Sequence, residues 1–320
     1  MPLKSLQKRI VSTIAYFDMF DYPLTAVEIW KWLYRDDSSS QNQNCSLADI
    51  LFGLQSVDLE PIIDVKDGFY FLLGRREIIL TRLNRYCLAK TKFNIALKVT
   101  VWLRSLAFVQ LVCVCNNVSY SNGAKKSDID FFIVTSRGRL WLTRLMVTLV
   151  VNLLRRRRHG QKTANRVCLS FYTSEDYLNM SGIGLKPADP YLAYWLATLI
   201  PLYNRHETYP KLLSANGWLK DYLPNFYSNV LSDRRQVKED RWLNYFRGLD
   251  EMILAGFLGG WLEKFSKRLQ IKRIRRYAGA LVDLPTTEVV ISDEILKLHT
   301  TDRRQYYRQL WLDKLNQLIA

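Results

Sequence analysis

Two aspartates, Asp128 and Asp130, carry the clearest chemical signal in this chain of 320 residues. They open the run Ser127-Asp128-Ile129-Asp130-Phe131-Phe132-Ile133-Val134, whose apolar continuation reads as a strand buried on both faces. Side chains two apart on a strand point the same way, so both carboxylates leave one face, about 7 Å apart along the backbone. Ile129, Phe131 and Ile133 take the opposite face. Paired carboxylates at a strand's start suit Mg²⁺, a hard cation that prefers oxygen ligands and bridges to phosphate. With two ions, one activates an attacking hydroxyl and the other neutralises a leaving pyrophosphate.

With Asn122-Gly123-Ala124 ahead of it, the run resembles the S-D-I-D signature of the polymerase-beta-like nucleotidyltransferase superfamily, across residues 95–175. The resemblance implies an α/β domain that transfers a nucleotidyl group from a nucleoside triphosphate to an acceptor, nucleic acid or protein. Asp128 and Asp130 would be its catalytic metal ligands, for Mg²⁺ in one or two ions. Ser127 and the turn at Asn116-Asn117, where the family carries Gly-Ser, would hold the nucleotide. Asparagine tolerates the positive φ such a turn needs. The family's third carboxylate belongs on a later strand, here Arg166 to Thr173, whose inward positions Cys168, Ser170 and Tyr172 carry no acid. Without it the acceptor hydroxyl lacks its usual base. A catalytically inactive nucleotidyltransferase fold, binding nucleotide or nucleic acid as a regulator, is therefore the alternative to an enzyme.

The elements around the motif follow from periodicity and turn chemistry. Leu6 to Phe17 is helical. Thr25-Ala26-Val27-Glu28 has capping-box spacing, with Leu24 and Ile29 placed as a staple, and predicts a helix to Tyr34. A polar insert, 36–44, leads to Ser46, the cap of a third helix through Val57. Asp67-Gly68 between Ile62–Val65 and Phe69–Leu72 predicts a tight hairpin. Three helices and a hairpin resemble a winged helix, although the third helix has no Lys or Arg with which to meet DNA. After a helix over Ile78–Leu106, strands are expected at Phe108–Cys115, Asp128–Thr135 and Arg166–Thr173, with a helix over Leu140–Leu154. From 185 onward the pattern is helical. There the stripe Trp242, Phe246, Leu249, Ile253, Phe257, Trp261, Phe265, Leu269 reads as one core-facing helix face, and the tail around Lys297 and Arg303 as two helical pieces. The chain is thus expected to be α+β, a nucleotidyltransferase-type mixed sheet flanked by helices: a winged-helix-like domain over 1–90, a nucleotidyltransferase-fold domain over 91–182 and a helical domain over 183–320.

Composition bounds the partners. A formal charge of +16 attracts polyanions without choosing among them. Arg137 to Arg166 holds nine basic residues and no acid, among them Arg155 to Arg158; this stretch suits RNA, DNA or triphosphate, or simply a solvated loop. Five cysteines in mostly apolar runs, without C-x-x-C spacing, point to reduced thiols and a cytoplasmic protein. The most apolar stretches, Leu140–Leu154 and Tyr191–Tyr203, fall short of the ~18 residues of a membrane span.

Overall fold

A computed structural model describes residues 3–35, 45–228, 235–279, 289–298 and 302–319; the expected polar insert lies outside them. Helices α1 (Ser5–Asp18), α2 (Ala26–Lys31) and α3 (Leu47–Leu54) precede a hairpin of β1 (Ile63–Lys66) and β2 (Phe69–Leu72). Thr25 caps α2, its hydroxyl accepting from Glu28 N while the Glu28 carboxylate returns to Thr25 N at 2.8 Å. Ser46 caps α3 in the same reciprocal way with Asp49. At the hairpin Asp67 and Gly68 both have positive φ, 54° and 76°, the conformation a two-residue turn requires. Leu24 and Ile29 are fully buried. α2 stops at Lys31 rather than at Tyr34, and Leu33 and Tyr34 are buried beyond its end; tertiary packing overrides their helical spacing.

The long helix α4 (Ile78–Leu103) leads into β3 (Val109–Val114), short α5 (Asn116–Ser119), β4 (Ile129–Thr135), α6 (Leu140–Leu153) and β5 (Val167–Ser174), close to the boundaries expected from sequence. β3 runs antiparallel to β4, and β4 parallel to β5. The sequence-drawn boundary at residue 90 falls inside α4.

Beyond residue 183 the helical expectation needs correction. α7 (Pro190–Ala197) is followed by β6 (Ile200–Asn204), then α8 (Thr208–Ala215), α9 (Leu219–Tyr222), α10 (Arg241–Ala255), α11 (Phe257–Ala278), β7 (Val289–Ile291), β8 (Ile295–Leu298) and α12 (Arg304–Ile319). β6, β7 and β8 complete a six-stranded mixed sheet in the order β6-β3-β4-β5-β8-β7. They are three to five residues long, too short for a period to mark them; β6 and β8 take hydrogen bonds from the distant strands β3 and β5, and β7 pairs with β8 in a short hairpin. Residues 295–298, expected to be helical, form β8 for this reason.

Both sheet faces are covered. Ile129, Phe131 and Ile133 join α4 and α6 residues such as Phe93, Ala96, Trp141 and Val147 in one core. Phe132 and Val134 face a second core that includes α1, α7 and α12. There Trp311 Nε1 donates to the Ser12 carbonyl at 2.9 Å, joining the two ends of the described chain.

α11 docks by a polar inner face: Glu263 accepts from Trp141 N at 2.8 Å and Leu142 N at 2.7 Å, capping the start of α6, while Gln270 donates to the Trp141 carbonyl at 2.7 Å. The expected core stripe on α10 and α11 is turned the other way. Trp242, Phe246, Leu249, Ile253, Phe257, Trp261, Phe265 and Leu269 are all exposed, Trp242 at 76% and Phe257 at 92%. Gly256 interrupts the stripe between two helices, and other residues, Leu254 and Leu262 among them, do the packing. Among the described residues, no helix is long and apolar enough to cross a membrane.

Candidate functional site

The acidic pair sits where β4 begins. Asp128 precedes the strand and Asp130 is its second residue, both partly buried. Beneath the loop that delivers them lies Lys92 of α4, 1% exposed, whose Nζ donates to the Ser127 carbonyl at 2.7 Å and to Asn165 Oδ1 at 3.1 Å. Burial lowers the pKa of this lysine, and the charge of Asp128 opposes that shift. Gly123 closes the loop against it. A Cβ there would stand 2.9 Å from Val118 Cγ2, 3.1 Å from Lys92 Cδ and 3.3 Å from Ser127 Oγ, so no larger residue fits without displacing the loop.

Asn116 occupies the turn after β3 at φ 57° and donates from Nδ2 to Asp130 Oδ2 at 2.9 Å. Of the five residues singled out from sequence, Asp128, Asp130 and Asn116 converge. Asn117 is exposed and its side chain accepts from the Tyr120 hydroxyl. Ser127 donates its hydroxyl to the Ala124 carbonyl at 2.9 Å, which holds it within its own turn.

Two further residues enter only through the tertiary structure. The parallel register pairs Asp130 with Cys168 of β5, and ligand atoms of Asp128, Asp130 and Cys168 lie within 4.8 Å of one another. Cys168 stands on the strand where the resemblance expects an acid. Arg158 Nη1 meets Asp128 Oδ2 at 2.6 Å and Cys168 Sγ at 3.9 Å. It is held there because the backbone after α6 pairs with the start of β5, Val167 N donating to the Arg156 carbonyl at 2.7 Å and Arg158 N to the Val167 carbonyl at 3.0 Å. The Arg155–Arg158 run is therefore tied to the start of β5. The run of arginines was visible in sequence; which one reaches the acids was not.

Burial and mutual repulsion shape the titration of the site. Burial, reinforced by the neighbouring Asp128 charge, pushes the Asp130 carboxyl up to about 6, against the pull of hydrogen bonds from Asn116 and Cys168. Burial and the Asp130 charge push the Cys168 thiol up to about 12, so it is protonated at neutral pH. Two carboxylates with one guanidinium fit a hard divalent cation, which would relieve their repulsion. A protonated thiol offers such a cation little, whereas a softer one could deprotonate and bind it.

Two spaces are lined by the partners of the acids, Asn116 and Arg158. One, of about 200 Å³, is walled by Asn116, Phe171, Tyr191, Trp195, Lys297 and Tyr307. The rings of Tyr191 and Tyr307 lie nearly parallel, with centroids 5.8 Å apart, and Tyr191 donates its hydroxyl to Asn116 Oδ1 at 3.4 Å. Lys297, in a stretch read from sequence as helical, is buried on β8 in an ion pair with Asp302 at 2.6 Å; Arg304 pairs with Asp302 at 2.8 Å and with Asp189 at 2.7 Å. The other space, a groove of about 930 Å³, is lined by Arg144, Arg157, Arg158, His159, Lys272 and Arg273 among others, with no acid among the described residues. Arg158 is common to this groove and the acidic pair. Comparison with protein-family models, curated proteins and solved structures finds no match to the chain.

Proposed function

We propose that the chain is a nucleotidyltransferase-fold protein that binds a nucleoside triphosphate together with Mg²⁺, and that it works as a nucleotide-responsive binder rather than by transfer. The observation that carries this is the convergence of Asp128, Asp130 and Asn116 beside Arg158. In this reading Asp128 and Asp130 hold the cation, which neutralises phosphate charge. Arg158 exchanges its carboxylate for a phosphate oxygen, a partner that guanidinium groups match well. The Tyr191–Tyr307 cavity offers the flat apolar walls that a planar base prefers. The order β3-β4-β5, antiparallel then parallel, supports the fold assignment.

Cys168 argues against transfer, because a thiol held at about 12 cannot serve as general base. A second reading, Mg²⁺-dependent nucleotidyl transfer, draws on the same acidic pair, with the cation held by Asp128 and Asp130 lowering the pKa of the attacking hydroxyl. Calorimetry with each of the four ribonucleoside triphosphates, with and without Mg²⁺, tests the first reading: binding should require the metal and disappear in Asp130→Asn. Incubation with labelled triphosphate then separates the two, since label on protein or nucleic acid would establish transfer. Binding indifferent to both metal and substitution would sink both. For the N-terminal three helices and hairpin we retain the winged-helix-like reading as a structural or protein-contact unit, since α3 carries no basic residue.

A further inference from the structure

The outward face of α10 and α11 carries more apolar surface than a solvated helix pair explains. On α10 the exposed side chains Trp242, Tyr245, Phe246, Leu249, Met252 and Ile253 recur at helical spacing on one face. α11 continues with Phe257, Leu258, Trp261, Phe265 and Leu269, all exposed, the rings of Trp261 and Phe265 stacked at 5.6 Å. Contiguous exposed apolar surface of this kind marks an interaction face. The inner sides of both helices are anchored: Arg205 pairs with Glu251 at 2.6 Å, Arg247 is buried and donates to the Arg104 carbonyl at 2.8 Å, and Glu263 caps α6. The stripe is thus presented on a fixed scaffold.

We propose that this face docks on an anionic lipid bilayer, with the aromatic and aliphatic side chains entering the interface and the second half of α11 binding headgroups. The charge pattern selects this partner. Lys264, Arg268, Lys272, Arg275 and Arg276 share the outward side of α11 with the stripe and are exposed, whereas Glu263, the one acid of that helix, turns inward. Aromatic residues with flanking Lys and Arg are the signature of a helix lying in the headgroup region. A second copy would bury the apolar stripe but leave the basic cluster at its end without acidic partners on the stripe's side of α11. A single-stranded nucleic acid would use the rings and the arginines, but has no use for Leu249, Met252, Ile253, Leu258 and Leu269.

The test is flotation of the full chain with vesicles of phosphatidylcholine alone or mixed with phosphatidylserine. The expected result is binding to the mixed vesicles, at least about tenfold weaker without the anionic lipid or in high salt. The double variant Trp261→Glu/Phe265→Glu should lose it while keeping the helical circular dichroism of the wild type, because both side chains are at least half exposed. Arg268→Glu/Lys272→Glu should lose the preference for anionic lipid. The proposal is overturned if wild-type protein ignores mixed vesicles at low salt or binds both compositions equally. It is equally overturned if the protein sediments as a dimer that Trp261→Glu/Phe265→Glu dissociates, or if an oligonucleotide binds through these residues while vesicles do not. The lipid and salt comparisons on wild-type protein decide the matter even if a variant misfolds.

Discussion

Replacing Asp130 by asparagine should stabilise the ligand-free protein while removing its metal site. The carboxyl rises from an ordinary 3.8 to about 6 because it ionises inside the protein next to Asp128. At about 1.4 kcal/mol per unit, the ionised form costs the native state about 3 kcal/mol. The folded pKa lies above the unfolded one, so Asp130 imposes no penalty below pH 3.8. The penalty grows as pH rises and is complete above about 6. Asparagine keeps the shape and can still accept from Asn116, but its amide hydrogens need partners, which returns part of the gain. A net stabilisation of roughly 1–2 kcal/mol at neutral pH follows, or a melting temperature higher by about 2–4 °C in a chain of this size. Thermal unfolding of both proteins in chelator, near neutrality and near pH 4, reads this directly: the variant should be the more stable at the first pH and lose or reverse that advantage at the second, where the ionisation penalty is nearly gone and the amide cost remains. Mg²⁺ with nucleotide at ~100 Kd should add about 2.7 kcal/mol to the wild type and nothing to the variant. A variant that melts below wild type near neutrality, or a difference that ignores pH, would refute the account of Asp130 as an ionised, poorly neutralised carboxylate.

Further outcomes follow from the same geometry. Cys168→Asp places a third acid beside Asp130; Mg²⁺–nucleotide affinity should rise at least severalfold by calorimetry, with a cost to stability in chelator that the metal reverses. Asp302→Ala leaves buried Lys297 and Arg304 short of a shared counter-charge and should destabilise by about 3–5 kcal/mol in denaturant unfolding. Glu263→Ala uncaps α6 and should cost about 1–2 kcal/mol, accompanied by faster hydrogen exchange at Trp141 and Leu142. Metal binding by wild-type protein should weaken about tenfold from pH 7 to pH 5 in titration calorimetry, because protons compete for a carboxyl held at about 6.

The local elements were legible in sequence because their signals are local. Asp67-Gly68 can make its turn wherever it sits, Thr25 and Glu28 lie one helical turn apart, and alternation along Asp128 to Val134 fixes which side chains share a face. The acidic pair was legible for the same reason. Everything that depends on lateral neighbours was not. Cys168 joins Asp130 through a parallel register set 38 residues away, and Arg158 reaches Asp128 only because the chain after α6 pairs with β5. β6 and β8 are strands because β3 and β5 offer them partners, and β7 extends the sheet by pairing with β8. Periodicity on α10 and α11 establishes that one face is apolar, yet an amphipathic pattern is identical whether that face meets a core or a membrane. Only the placement of Glu263, Arg247 and Leu254 on the opposite sides decided that the stripe looks outward.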